Sequence, residues 1–173
     1  MNMIFTIIFI LIVLQRIIEV IIAKQNEKWM KNQGATEHYS DHYKWIVFVH
    51  TLFFFSIMFE AFGEKLVLNQ WKGILLLLFV CAQAFRVWCL ASLGRYWNTK
   101  IIVLPEAELV TKGPYKFMKH PNYVVVAIEF ILIPLLFNAY VTAFIFPVLH
   151  GVLMRIRIPY EEKALSRDKL KSN

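Results

Sequence analysis

Cysteine is nearly missing from this sequence: Cys81 and Cys89 are the only two in 173 residues, and both fall inside one apolar stretch. They form no CxxC pair, and a helix holds these positions too far apart for a disulfide, so both read as packing residues. HEXXH is absent, as are a Walker loop, a GxGxxG turn and any Ser-His-Asp arrangement. That removes the common signatures of zinc hydrolysis, nucleotide cradling and serine nucleophiles. His38 and His42 have i,i+4 spacing, but no third or fourth ligand lies nearby, so a surface role is expected and no metal is assigned. No internal repeat or low-complexity tract occurs, which argues against an inverted-repeat transporter. The N-terminus has no basic n-region or small-residue cleavage pattern, so the first segment is expected to be an anchor. Lipidation signals (an N-terminal Met-Gly or a CaaX box) are also lacking. There is no polar half to form a soluble domain, and residues 1–173 read as one integral membrane domain.

What is present is grease. Hydrophobic residues make up 58%, the mean hydropathy is +0.53, and there are 15 Phe. A soluble domain carries less. The net charge of +7 suggests nucleic acid at first sight, but no basic stripe of a soluble fold is visible. The cations stand at the ends of apolar segments, where anionic headgroups meet them.

A bilayer crossing takes about 20 helical residues. Segments 3–23, 45–62 and 71–93 meet that length, while 123–154 exceeds it. Pro134 and Asn138 stand near the middle of the last, which predicts a tight helical hairpin over 123–137 and 139–155. The expected fold is therefore all-α, with five transmembrane helices, the last two forming the hairpin. Lys and Arg concentrate in 24–44 (Lys24, Lys28, Lys31, Lys44), 94–122 (Arg95, Lys100, Lys112, Lys116, Lys119) and the tail (Arg155, Arg157, Lys163, Arg167, Lys169, Lys171). Loop 63–70 holds only Lys65, with Lys72 just inside the next helix. The positive-inside rule then puts the N-terminus outside and the C-terminus in the cytoplasm. It also gathers 94–122 and 155–173 on the cytoplasmic side, where a site for an aqueous cofactor is expected. Segment 94–122 is long for a loop in so small a protein, and such loops are usually functional.

Charges within apolar segments are costly and therefore informative. Arg16 and Glu19 are spaced to pair on one helical face and to snorkel towards the cytoplasmic end. Arg86 and Glu129 are deeper, and either partner each other across helices or line a cavity. His50 and His150 read as packed, hydrogen-bonded groups. In the tail, Arg157 and Glu161 are four apart and share a helical face.

Two stretches carry the chemistry: LVTKGPYKFMKHPNY at 109–123 and RIPYEEKAL at 157–165. Together with LGRYW at 93–97, they resemble the isoprenylcysteine carboxyl methyltransferase family. That family's pattern is Gly-x-Tyr, then Arg-His-Pro-x-Tyr, a membrane hairpin, and Arg-x-x-x-Glu-Glu-x-x-Leu. The resemblance covers about 90–165, the motif-bearing part being 93–165, and implies an integral membrane O-methyltransferase that uses S-adenosylmethionine. It implies that Glu108, Leu109, Val110, Tyr115, His120, Pro121, Asn122, Tyr123 and Glu161 hold the cofactor. Arg157 is implied to face the methyl acceptor, and Arg157 with Glu161 would form the catalytic pair. Lys119 departs from the family's Arg, and Val125 stands where many members have Gly. Positions 166–173 show no Gly-x-x-Tyr-x-x-Tyr. The implied acceptor is lipophilic: a prenylated cysteine carboxylate or the acidic hydroxyl of a long-chain polyketide such as an alkylpyrone. The competing classes are a small transporter or channel, with Arg86, Glu129 and His50 as its only plausible lining, and a structural membrane adaptor without catalysis.

Overall fold

A computed structural model describes residues 3–62, 66 and 68–171, with side chains through Ser166. Lys65 lies outside the described residues, as do the side chains of Arg167, Lys169 and Lys171.

Among the described residues five α-helices follow in chain order: α1 (Met3–Asn32), α2 (Tyr43–Glu60), α3 (Gln70–Leu93), α4 (Pro121–Leu136) and α5 (Tyr140–Lys171). Four are long and apolar enough to cross a membrane: α1, α2 with its preceding turn, α3 and the first part of α5. α4 has 16 residues, about 24 Å at 1.5 Å per residue. It lies at the centre, burying Val125, Val126, Phe130, Leu132 and Ile133, whereas α1 exposes Ile7, Ile10, Leu14 and Ile17. In a bilayer that apolar exposure faces lipid and costs nothing. Aromatic rings fill the centre, with Phe53 against Phe130 at 4.5 Å and against Phe146 at 5.3 Å.

Three sequence expectations need correction. α1 does not end near residue 23 but continues to Asn32, so Lys24, Lys28 and Lys31 ride on a helix and not in a loop. An i,i+4 pair between Lys31 and Glu27 at 2.6 Å supports the extension. A Schellman closure ends it: the amide of Gly34 (φ 90°) donates to the Lys31 carbonyl, and that of Ala35 to Met30. Second, the expected arm 139–155 and the charged tail are one continuous helix, running through Pro147 and Pro159. Third, the all-helical architecture carries a short β ribbon where no strand was expected. Strands β1 (Thr36–His38) and β2 (Ile101–Val103) pair antiparallel, Glu37 opposite Ile102. Cys81 is also exposed on the outside of α3, although Cys89 is buried as expected.

The hairpin turn is held by two charges from neighbouring helices. Asn138 takes the left-handed conformation (φ 59°), which Asn tolerates better than most residues, while Pro134 stays within the last turn of α4. Lys72 donates to the Leu135 and Leu136 carbonyls and to Asn138 Oδ1, covering the negative end of α4. Glu60 accepts the Val141 and Thr142 amides at 3.0 and 2.7 Å, covering the positive end of α5.

Arg16 and Glu19 pair at 2.9 Å as expected, but they are not snorkelling. They join Arg86 and Glu129 in a buried network across α1, α3 and α4. Arg86 grips Glu19 with Nε and Nη2 at 2.7 and 2.6 Å and reaches Glu129 with Nη1 at 3.0 Å. Arg16 reaches Glu129 at 2.7 Å, and Gln15 and Gln83 take remaining lone pairs. Beside it is a cavity of about 20 Å3 lined in part by Arg16, His50, Arg86 and Glu129. Both readings of Arg86 and Glu129 hold: the two pair with each other, and they border this small space. His50 bonds the Ile46 carbonyl at 2.8 Å and His150 the Tyr123 carbonyl at 3.1 Å, in line with their reading as packed groups.

Candidate active site at the basic end of the bundle

The end of the bundle opposite the hairpin turn gathers the β ribbon, segment 94–120 and the extension of α5. The segments 94–120 and 155–166 therefore lie together, as their Lys and Arg content predicts. Local geometry there depends on glycine. Gly113 has φ +60°, and a Cβ on it would meet Ser92 Oγ at 2.1 Å, so the turn Gly113–Lys116 rests directly on α3. That turn half-buries Tyr115. Burial, and then the nearness of Cys89 and Glu161, pushes its phenol well above the usual range.

Pro121 opens α4, where its missing N–H leaves no bond unmade. His120 and Tyr123 then stand on one side of the first turn, with rings stacked at 5.3 Å and 14°. Across from them, α5 presents Arg157 and Glu161 one turn apart. Arg157 Nε donates to Tyr123 Oη at 2.7 Å, and Tyr123 Oη in turn donates to Glu161. One hydroxyl thus links the two charges, accepting from one and donating to the other. Arg157 Nη2 donates to the Thr99 carbonyl at 2.7 Å. His120 Nδ1 lies 3.9 Å from Glu161, and Lys119 Nζ lies 3.2 Å from Glu162.

The cluster is incompletely satisfied. Arg157 Nη1 and Asn122 Oδ1 are buried without a hydrogen-bond partner, although Arg157 as a whole is only 5% exposed, and buried His120 Nε2 has only Glu162, at 3.5 Å. The other such atoms among the described residues are His42 Nε2 and His150 Nδ1. Both histidines adjoin the same cluster, His42 tilting against Tyr160 at 5.5 Å and His150 bonding the Tyr123 carbonyl. Buried polar atoms are almost always paired in folded proteins, so the orphans gathered at one end make it the candidate site.

Of the residues singled out in the sequence, the structure brings together His120, Tyr123, Arg157 and Glu161, with Asn122 and Tyr115 close by. Glu108 and Leu109 are exposed and Val110 is half-buried, and among the described residues no polar contact joins Glu108 to the cluster. His38 and His42 do not converge either, since His38 turns to Thr36 Oγ1 at 2.8 Å. Sequence reasoning missed the Thr99 carbonyl, because a main-chain oxygen leaves no trace in residue type. It also missed the stack of Tyr39 on Tyr160 at 4.5 Å, which the three-residue β1 makes possible.

Comparison with known proteins decides the relationship. Residues 74–167 match the isoprenylcysteine carboxyl methyltransferase (ICMT) family. The chain belongs to that family. The matched region contains the whole Arg157–Tyr123–Glu161–His120 cluster, along with Arg86 and Glu129, and leaves out α1, β1 and α2. Among similar proteins, Uncharacterized protein YpbQ of Bacillus subtilis (strain 168) is 45% identical, over 96% of this chain and 99% of its own length. An Uncharacterized protein of Haemophilus influenzae (strain ATCC 51907 / DSM 11121 / KW20 / Rd) is 28% identical, over 84% of this chain and 85% of its own. No solved structure matches. Family membership and four helices able to cross a bilayer make this chain an ICMT-family membrane methyltransferase.

Proposed function

We propose that the protein is an S-adenosylmethionine-dependent O-methyltransferase whose acceptor is a lipophilic molecule carrying an ionised oxygen. That acceptor is the carboxylate of a prenylated cysteine or an acidic hydroxyl of a long-chain polyketide such as an alkylpyrone. The observation that carries the reading is the incompletely satisfied cluster on α4 and α5, at the basic end of an otherwise apolar bundle.

The residues present fit the cofactor. Glu161 offers a carboxylate to ribose hydroxyls or to a cationic centre, Asn122 Oδ1 is unpartnered, and the stacked rings of His120 and Tyr123 offer a face to adenine or a sulfonium. Tyr115 and the segment of Glu108, Leu109 and Val110 complete its holding residues in this proposal, with Pro121 fixing the backbone. When bound, S-adenosylmethionine supplies an electrophilic methyl group. The chain's own work is to bind, align and exclude water, which alone provides large effective concentrations. Arg157 presents its free Nη1 to the acceptor oxygen, while Nε and Nη2 stay fixed on Tyr123 and Thr99. An acceptor already ionised at neutral pH requires no general base.

In this proposal the basic end is cytoplasmic, the N-terminus is outside, and the acceptor's apolar part arrives through the bilayer. Cysteine labelling in intact cells should accordingly miss a probe at Lys112 and reach one near the N-terminus. A transporter would need a polar path through the middle of the bundle. The charges available there are bonded to one another, beside a space of about 20 Å3. The test is calorimetry with S-adenosylhomocysteine on folded protein in detergent, followed by transfer assays with N-acetyl-S-farnesylcysteine and a long-chain alkylpyrone side by side. Absence of binding at millimolar ligand removes the reading.

A further inference from the structure

The Thr99 carbonyl that receives Arg157 belongs to four successive residues, each tied to an element outside the family-matched region. The Trp97 carbonyl accepts from Asn26 Nδ2 at 2.8 Å. Asn98 Nδ2 donates to the Ala23 carbonyl at 3.1 Å, and Asn98 Oδ1 receives the Lys100 amide at 3.0 Å. Thr99 Oγ1 is bonded to Tyr43 Oη at 3.1 Å. Lys100 Nζ lies 3.0 Å from Glu27 and 3.3 Å from Glu37, and Glu37 itself is fixed opposite Ile102 in the ribbon. α1, β1 and the start of α2 thus clamp 97–100 from three directions.

We propose that Tyr43 and Lys100, with Asn26, Glu27 and Glu37, are positioning residues that hold the Thr99 carbonyl where it orients the guanidinium of Arg157. This rests on the reading of Arg157 as the acceptor-facing group. The physical reason is that a guanidinium is a rigid planar fork. Once Nε is bonded to Tyr123 and Nη2 to Thr99, the direction of Nη1 is determined. The Tyr123 bond alone leaves the plane free to rotate about one contact. A main-chain carbonyl cannot be lost by substitution, so its placement is set by whatever grips the residues around it. Here that grip comes from the first 43 residues, which gives α1 and α2 a role beyond anchoring.

Phenylglyoxal, which modifies accessible arginines, provides a readout independent of catalysis. The modification rate of Arg157 is followed by peptide mass in the full chain in detergent, with exposed Arg155 as internal reference. Tyr43→Phe keeps the ring and removes one bond, and Lys100→Met releases the ion cage. Both are expected to raise the Arg157 rate about two- to tenfold relative to Arg155, the loss of one ordinary hydrogen bond. Lys100→Arg, which keeps the charge, should stay near wild type. In transfer assays the acceptor KM should rise in Tyr43→Phe while S-adenosylhomocysteine affinity is unchanged. An Arg157 rate at the wild-type value in folded Tyr43→Phe overturns the proposal, even if Lys100→Met is too unstable to measure. If wild type neither binds S-adenosylhomocysteine nor methylates either acceptor, the methyl-transfer reading falls, and the modification rates still decide whether the clamp holds Arg157.

Discussion

Among the described residues charge is buried in the middle of the bundle, at the basic end and, with Lys72, at the hairpin turn, and the first two are built differently. In the middle of the bundle Arg16, Glu19, Arg86 and Glu129 form a neutral set, with the carboxylate oxygens taking hydrogen bonds from arginine or glutamine. At the basic end Arg157, Tyr123, Glu161 and His120 form a chain that leaves Arg157 Nη1 without a partner. Burial of charge is therefore handled here in two ways, one fully satisfied and one not. The first set is closed and ties three helices together. The second leaves Arg157 Nη1 open, the atom that our proposal gives to the acceptor.

The largest effect that tests this contrast is on stability. Arg86→Met leaves Glu19 and Glu129 sharing only Arg16. Removing one member of a buried ion set typically costs about 3–5 kcal/mol. Thermal or denaturant unfolding in detergent should show a loss of that order, while the protein that remains folded binds S-adenosylhomocysteine as before. If Arg86→Met folds normally and fails to bind, the central network belongs to the site and the contrast breaks.

Next in size is the effect of Arg157 on transfer. Arg157→Gln keeps length and loses charge, so cofactor affinity should hold while the rate falls about 10²- to 10³-fold, as when an oriented donor to a reacting oxygen is removed. Arg157→Lys should recover part of the rate, since a point charge replaces a fork. If Arg157→Gln abolishes S-adenosylhomocysteine binding and spares turnover at saturating cofactor, the division of labour between Arg157 and Glu161 is wrong. Glu161→Ala and Tyr123→Ala should instead weaken S-adenosylhomocysteine binding by about 1.5–3 kcal/mol, the worth of a hydrogen bond to a charged group. Both variants should unfold near the wild-type temperature, because an open cluster contributes less to the fold than a closed one. Wild-type affinity in both removes these residues from the site.

How much of this could be read from residues alone follows the same physics. The apolar runs revealed the helices because a bilayer demands length and grease, and Asn138 revealed the hairpin because few other residues tolerate its φ. The continuation of α1 through Lys24–Asn32 was hidden, since hydropathy ends where the membrane ends and helices need not. The β ribbon was hidden because three residues per strand are too few for an alternation to show. Arg157, Glu161, His120 and Tyr123 were legible from their motifs. Glu60 and Lys72 were not, because capping a helix from another helix depends on contacts far apart in sequence. The partner of Arg86 was half legible: Glu129 was a candidate, but the bidentate grip on Glu19 depends on how α1 lies against α3.

The smallest expected effect lies in the ion cage of the ribbon, which sharpens the contrast from the exposed side. Glu37 is shared by Lys31 and Lys100, at 2.9 and 3.3 Å. The hydrogen bond from Lys31 comes first among the causes that hold its carboxyl below the ordinary carboxylate range, with Lys100 adding to it against the cost of partial burial. A carboxyl depressed by folding stabilises the fold above the unfolded-state value of about 4.3, and that contribution fades as pH falls through the lower folded value. Glu37→Gln should therefore cost less than about 1 kcal/mol at neutral pH and low salt, as accessible pairs do. The difference from wild type should shrink in acid, and again at about 1 M salt, where screening reaches only about 3 Å. The penalty of Arg86→Met should survive the same salt, because no ions reach the network between the helices. Unfolding curves of the two variants at two salt concentrations make the comparison directly. Were Glu37→Gln as costly and as indifferent to salt as Arg86→Met, the ribbon would behave as a second closed network, and the contrast between a shielded centre and an accessible basic end would break.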